Sequence, residues 1–199
     1  MDSQIDVVIQ KTAKLKDRLG LLVTKNEYPT NRRSQILLAY HSILAEHHSA
    51  IFFLIQNDLC GSAFALARPV YETLYRAHWI AACANETQVN NLFEDKDIFP
   101  KMHVLVSQID KAFNSGNFWQ TIKRSTWNPM NDYTHSGIRQ VGRRFNDNQV
   151  LQNYEKEEIL EVLNGTNMAL LLIASLFFSF FGKDDAYSEV REMILNYNN

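Results

Sequence analysis

The sequence predicts an all-α protein: an up-and-down bundle of long antiparallel helices, with shorter helices covering one end or one side. Three observations predict it. Helix breakers are scarce, with 7 Gly and 4 Pro in 199 residues. Apolar residues recur at three- and four-residue steps through most of the chain. No stretch alternates apolar and polar residues with β-branched side chains for long enough to make a strand. At 46% apolar and 21% charged, the composition is that of a folded domain. One domain over residues 1–199 is expected, large enough to bury a core without a disulfide or metal.

The elements follow in order. A first helix runs from about Ser3 to Leu22, with Ile5, Val8, Ile9, Thr12, Leu15, Leu19 and Leu22 on one stripe. Pro29 and Thr30-Asn31 break and recap the chain. A second helix runs from about Asn31 to Asp58 and closes at Gly61, roughly 42 Å long at 1.5 Å per residue. A third runs from about Ser62 to Asn85, starting near Arg68 or kinking at Pro69. Shorter helices are read at Glu86–Glu94, Ile98–Asn114 and Phe118–Lys123. Trp127 to Gln149, with Pro129, Gly137 and Gly142, is the least regular part. A fourth long helix runs from about Leu151 to Phe181 with a weak point at Asn164-Gly165-Thr166, and a last one from Ala186 to Asn196. The core is then built from Leu37, Leu44, Ile51, Phe52 and Ile55, from Leu66, Val70, Leu74 and Ile80, and from Leu170, Ile173, Phe177 and Phe180.

Twenty basic residues stand against 22 acidic ones, a net charge of −2. That balance gives no reason to expect wholesale binding to DNA or to an acidic membrane. The opening Met1-Asp2-Ser3-Gln4-Ile5-Asp6 has no basic region followed by an apolar core, so no secretory signal is expected. Cys60 and Cys83 cannot make a disulfide framework, and a cytoplasmic location is the expectation. The most apolar run, Met168 to Phe181, is 14 residues, shorter than a spanning helix needs, and reads as a buried helix rather than a membrane segment. His41 and His48 share a helix face while Glu46 falls on another, and no Glu-x-x-His occurs on a long helix. No metal and no cofactor are expected. Phosphate-binding glycine loops, nucleophile elbows and zinc-protease motifs are missing as well.

Chemistry is suggested where polar residues sit among apolar ones. In the third helix Arg68, Glu72 and Arg76 recur at i, i+4 and i+8. Buried charges are costly unless paired, so Glu72 is expected to bridge both arginines, leaving a net positive charge and spare guanidinium donors for an anion. The same three residues also fit a purely structural ion-pair ladder. A second cluster, Asp132, Tyr133 and His135, is read on a short helix starting after Asn128 with Pro129 in its first turn. His135 and Asp132 are residue types suited to acid–base work. Arg139, Arg143 and Arg144, with Lys123 and Arg124 before them, make a local basic patch that can meet phosphate.

Arg68-x3-Glu72 on a buried helix, with Tyr133-Thr134-His135-Ser136-Gly137 in a later loop, resembles a bacterial family of all-helical proteins of unknown function. The resemblance, covering about Arg33 to Phe181, implies a helical bundle and brings no activity with it. A more distant likeness is to the HEPN superfamily, helical bundles that include ribonuclease toxins and nucleotide-binding modules. Those nucleases place a His five to seven positions after an Arg. Here Arg33 precedes His41 by eight positions and Arg124 precedes His135 by eleven, and Asn131-x3-His135 is a partial echo. The resulting expectation is a semi-buried site in which Arg68, Glu72, Arg76, Tyr133 and Arg139 bind a nucleotide or RNA phosphate and His135 and Asp132 carry any hydrolysis. The alternative is a non-enzymatic homodimer whose surface presents Phe118, Trp119, Trp127 and Phe145.

Overall fold

Nine helices and one two-stranded hairpin form among the described residues of the computed structural model, which are 3–94 and 96–197. The reading of the N-terminus as lacking a signal rests partly on Met1 and Asp2, which lie outside them. Helices α1 (Ser3–Thr24), α2 (Arg32–Gln56) and α3 (Cys60–Ala82) begin the chain. The α1 stripe is buried at Ile5, Ile9, Thr12, Leu15, Leu19 and Leu22, as its periodicity requires. Asn31 caps α2, its side chain accepting from the Ser34 N–H at 2.9 Å. Short α4 (Glu86–Leu92) opens with a reciprocal capping box between Asn85 and Gln88. Then come α5 (Met102–Ala112), α6 (Phe118–Thr134) and α7 (Ile138–Gly142). Strands β1 (Phe145–Asn146) and β2 (Gln149–Val150) pair antiparallel, and α8 (Lys156–Phe180) and α9 (Asp184–Leu195) close the fold.

Pairwise contacts set the directions. α2 lies antiparallel to α8, since its early His41 stacks on Phe177 (ring centroids 4.8 Å) and its later His48 bonds Asn167. α8 runs parallel to α3: Phe64, near the α3 start, stacks on Tyr154 just before α8, and Tyr71 farther on approaches Gly165. α6 runs against α3, its end meeting the α3 start through Phe64 and Tyr133 at 5.0 Å. Consecutive long helices therefore alternate, while α4 to α7 form the crossover that brings α8 back alongside α3. The core lies where α2, α3 and α8 meet, with Leu44, Ile51, Leu74, Ile80, Leu171 and Phe178 fully buried.

Several expectations are corrected. The residues expected to be irregular from Trp127 continue α6 as far as Thr134, despite Pro129. α8 starts at Lys156 rather than near Leu151, because the hairpin occupies the preceding stretch, and Gly165 does not interrupt it. Phe52 and Leu66 pack only partly into the core, and Phe180 is 36% exposed. Trp119, assigned to a surface, is buried against Tyr75 and His78.

The long α6 depends on a cap supplied from outside it. Asp110 of α5, only 3% exposed, takes the Trp119 and Gln120 N–H groups at 3.0 and 3.1 Å and the Ser115 hydroxyl at 2.7 Å. A carboxylate on the free N–H groups of a helix start satisfies those donors and favours the helix dipole. Asp110→Ala is expected to cost about 2–3 kcal/mol, lowering the melting temperature by roughly 4–12 °C. Asp110→Asn, which keeps one acceptor, is expected to cost less. An unchanged denaturant midpoint in the alanine variant would show that the cap carries no weight.

Candidate functional site

The junction of α3 and α6 begins at a proline. Pro69 has no N–H, so the Ala65 carbonyl four residues earlier loses its helical donor. Thr134, at the end of α6, supplies the replacement: its hydroxyl lies 3.2 Å from the Ala65 carbonyl and 2.9 Å from that of Met130. This fastens the α6 terminus beside Arg68. The helix then stops in a tight left-handed turn, with Ser136 at φ 54 and the Gly137 N–H on the Asp132 carbonyl at 2.6 Å. A Cβ on Gly137 would stand 3.0 Å from the Asp132 Cα, so the chain can fold back this closely only with glycine there. His135 is the C-cap residue and is delivered to the surface.

Four side chains meet at that point. Arg68 donates from Nε to Glu72 Oε1 at 2.9 Å, and its Nη1 lies 3.0 Å from His135 Nε2. Since the guanidinium can only donate, Nε2 is the acceptor and the imidazole carries its proton on Nδ1. The guanidinium also lies over the Trp127 ring at 4.9 Å, and Lys123 approaches the same ring at 5.8 Å. Trp127 and Asn131 stand one turn apart on α6, and His135 caps its end one turn further on. Asn131 Oδ1 is buried without a hydrogen-bond partner among the described residues. Arg68 and Glu72 are about three-quarters buried, so the ion pair is held from several sides while guanidinium donors still reach solvent.

The expected site divides into three places. Arg68, Glu72 and His135 come together. Arg76 does not join them: its guanidinium lies over Phe99 at 5.0 Å, and its buried Nε has no partner among the described residues. Glu72 thus pairs with Arg68 and does not bridge two arginines. Tyr133 and Arg139 face a different space, and Asp132 meets Arg139 Nε at 3.5 Å rather than His135. Sequence reasoning gave Trp127 no part in this cluster. Its place four residues before Asn131 on α6, near the helix end that delivers His135, was the available signal, and it becomes usable only once α6 is read as continuous.

That different space is a cavity of about 170 Å3 between α3, α6 and α8. Each helix contributes one face at helical spacing: Phe64, Ala67 and Tyr71; Pro129, Met130 and Tyr133; Glu158, Val162 and Gly165. Burial and the nearby Glu161 charge push the Tyr71 phenol up to about 12. Arg143 pairs with Glu158 beside Tyr133.

Three other histidines, His41, His48 and His78, serve the core. Burial drives His41, His48 and His78 each down to about 4, so all three are neutral at physiological pH. Among the described residues no three His, Cys, Asp or Glu side chains gather as metal ligands would. α8 is, by length and composition, apolar enough to cross a membrane, and its Leu163, Leu170, Ile173 and Phe177 are buried in the core.

Residues 41–199 match a family model whose description is a family of unknown function (DUF6988). No curated protein and no solved structure matches the chain.

Proposed function

We propose that this chain, which belongs to the DUF6988 family of unknown function, binds a phosphate group of a nucleotide or of RNA at Arg68 and His135. The carrying observation is the 3.0 Å contact between Arg68 Nη1 and His135 Nε2, two residues 67 apart in the sequence. Glu72 and Trp127 hold the guanidinium in place, so little side-chain entropy remains to be lost when an anion docks. Arg68 and Lys123 against the single charge of Glu72 leave the cluster net positive. A phosphate taken up by Arg68 competes with His135 for Nη1 and frees Nε2 as a proton acceptor. On RNA that acceptor can take the 2′-hydroxyl proton as the 2′-oxygen attacks the phosphorus, the P–O5′ bond breaking and the 5′-oxygen leaving with a proton from water. The HEPN nucleases also pair an Arg with a His, and that likeness supports the same reading. Here two helices supply the pair instead of one motif.

Thermal shift with mononucleotides and with RNA oligomers tests the reading. A ligand at a hundred times its Kd adds about 2.7 kcal/mol, a rise of roughly 5–11 °C. Arg68→Gln is expected to weaken binding roughly 10- to 100-fold, the loss of a charge-assisted contact. His135→Ala removes one exposed contact and is expected to leave the melting temperature nearly unchanged while abolishing any RNA cleavage. Unfolding of the His135 variant would instead make the pair a structural clamp.

A second reading, a homodimeric interaction module, draws on one observation. Phe145 and Val150 form an exposed apolar cross-strand pair, and Ile138 of α7 is strongly exposed as well. A stable dimer by light scattering, together with no thermal shift from any phosphate ligand, would favour it.

A further inference from the structure

We infer that the cavity between α3, α6 and α8 is a separate binding site for a small organic amine, a primary ammonium ion carried on an apolar body about the size of a benzene ring. This site does not depend on phosphate binding at Arg68, whose partners His135, Glu72 and Trp127 do not line the cavity. Among the ionised groups of the lining, Arg139 is offset by Asp132 at 3.5 Å, and Glu158 is paired with Arg143. No salt bridge to Glu161 forms among the described residues, so the lining with its partners carries one uncompensated negative charge. Burial first, and then that charge, hold the Tyr71 phenol up at about 12, so the charge of Glu161 is felt at the cavity wall. The Tyr71 hydroxyl itself reaches α8 at Gly165, where a Cβ would stand 2.8 Å from it.

Hydrogen-bonding capacity favours the same ligand. The Thr126 hydroxyl donates to the Ile122 carbonyl at 2.8 Å, the Ser125 hydroxyl to the same carbonyl at 2.9 Å, and the Thr166 hydroxyl to the Val162 carbonyl at 2.7 Å. Each of these three residues of the lining spends its one hydroxyl proton inside its own helix and keeps lone pairs. They stand with the Glu161 carboxylate as acceptors, and a primary ammonium brings three donors and no acceptor. Phe64, Tyr71 and Tyr133 add three aromatic rings, and a cation held over a ring face is attracted to it. The hydrocarbon of Ala67, Met130 and Val162 suits the apolar body. The volume, about 170 Å3, is close to that of cavities known to take a benzene-sized molecule. An anion of that size would be repelled by Glu161, and a neutral molecule would leave its charge unmatched.

Isothermal titration of the full chain at neutral pH with benzylamine, benzyl alcohol and benzoate tests the assignment. The three share one ring and differ in charge, as a cation, a neutral molecule and an anion. Benzylamine is expected to bind at least about tenfold more tightly than either of the others. Glu161→Gln stands at an exposed position and is expected to keep the fold, checked by circular dichroism. It is expected to weaken benzylamine about tenfold and to leave benzyl alcohol unchanged. Val162→Phe adds bulk to the wall and is expected to weaken benzylamine and benzyl alcohol alike. Benzoate or benzyl alcohol binding as tightly as benzylamine would overturn the ammonium assignment, as would no heat from benzylamine at millimolar concentration. Benzylamine binding unchanged in the Glu161 variant, or in a folded Val162 variant, would overturn the site. Arg68→Gln is the control that keeps the two sites apart: benzylamine binding is expected to survive it, and loss there would also overturn the separate site.

Discussion

Taking the protein from pH 7 to pH 5.5 is expected to lower its unfolding free energy by about 4 kcal/mol, from His41, His48 and His78 together. Burial disfavours the imidazolium and brings each folded-state pKa down from 6.5 to about 4. Between those values the unfolded chain binds more protons than the folded one, so stability falls as pH falls. It is fully present above the unfolded value and is lost progressively toward pH 4. Three protons set a maximum slope of about 4 kcal/mol per pH unit.

The surroundings explain why charging is resisted. His78 donates from Nδ1 to the Leu74 carbonyl at 2.8 Å and packs against the Trp119 ring at 4.4 Å, where burial disfavours a charged imidazole. His41 Nε2 and His48 Nδ1 are buried without partners among the described residues. By pH 5 the loss reaches about 5–6 kcal/mol, enough to unfold a protein at the low end of the typical 5–15 kcal/mol range. Urea unfolding at successive pH values measures it. His41→Phe is expected to remove about a third of the slope, and a flat profile between pH 7 and 5.5 would refute the assignment.

Asn167→Leu is expected to destabilise the fold by about 3–5 kcal/mol, a melting-temperature drop on the order of 10 °C. Asn167 is fully buried and its amide meets three partners. Nδ2 donates to the Thr12 hydroxyl and to the Tyr197 hydroxyl, each at 2.8 Å. Oδ1 is then the acceptor for His48 Nε2 at 2.7 Å, which fixes the proton of that imidazole on Nε2. Thr12 passes its own proton to the Val8 carbonyl, and Tyr197 passes its to Asn164. One amide thus joins α1, α2, α8 and the chain beyond α9, and leucine in its place strands the His48 N–H in an apolar core. A double-mutant cycle with His48→Leu isolates the effect: the second change is expected to cost much less once Asn167 is gone. Strict additivity would mean that the network contributes nothing as a unit.

The helical architecture was legible in the sequence because each helix writes its buried face at three- and four-residue steps. The stripes of α1, α2 and α8 needed no knowledge of their neighbours. Arg68 with Glu72 was legible for the same reason, since i and i+4 always stand one above the other. The α6 helix was not. Asn128 and Pro129 are local signals for a helix start, and packing against α3 together with the Asp110 cap overrides them. Arg76 was misplaced for a geometric reason. Each step of four residues turns about 40° past a full circle, so by i+8 the side chain has swung roughly 80° away from Arg68. It meets Phe99, ahead of α5, instead of Glu72.

What the amino-acid order alone determined is therefore the set of helices, most of their buried faces and the single pair Arg68–Glu72. Tertiary structure decided which polar groups meet. His135 reaches Arg68 because Pro69 leaves a carbonyl unpaired and Thr134 takes it, and Tyr133 with Arg139 turns instead toward α8. Periodicity along one helix is a local property, whereas the partner of a freed carbonyl or a half-buried guanidinium depends on which segment the whole chain packs against it.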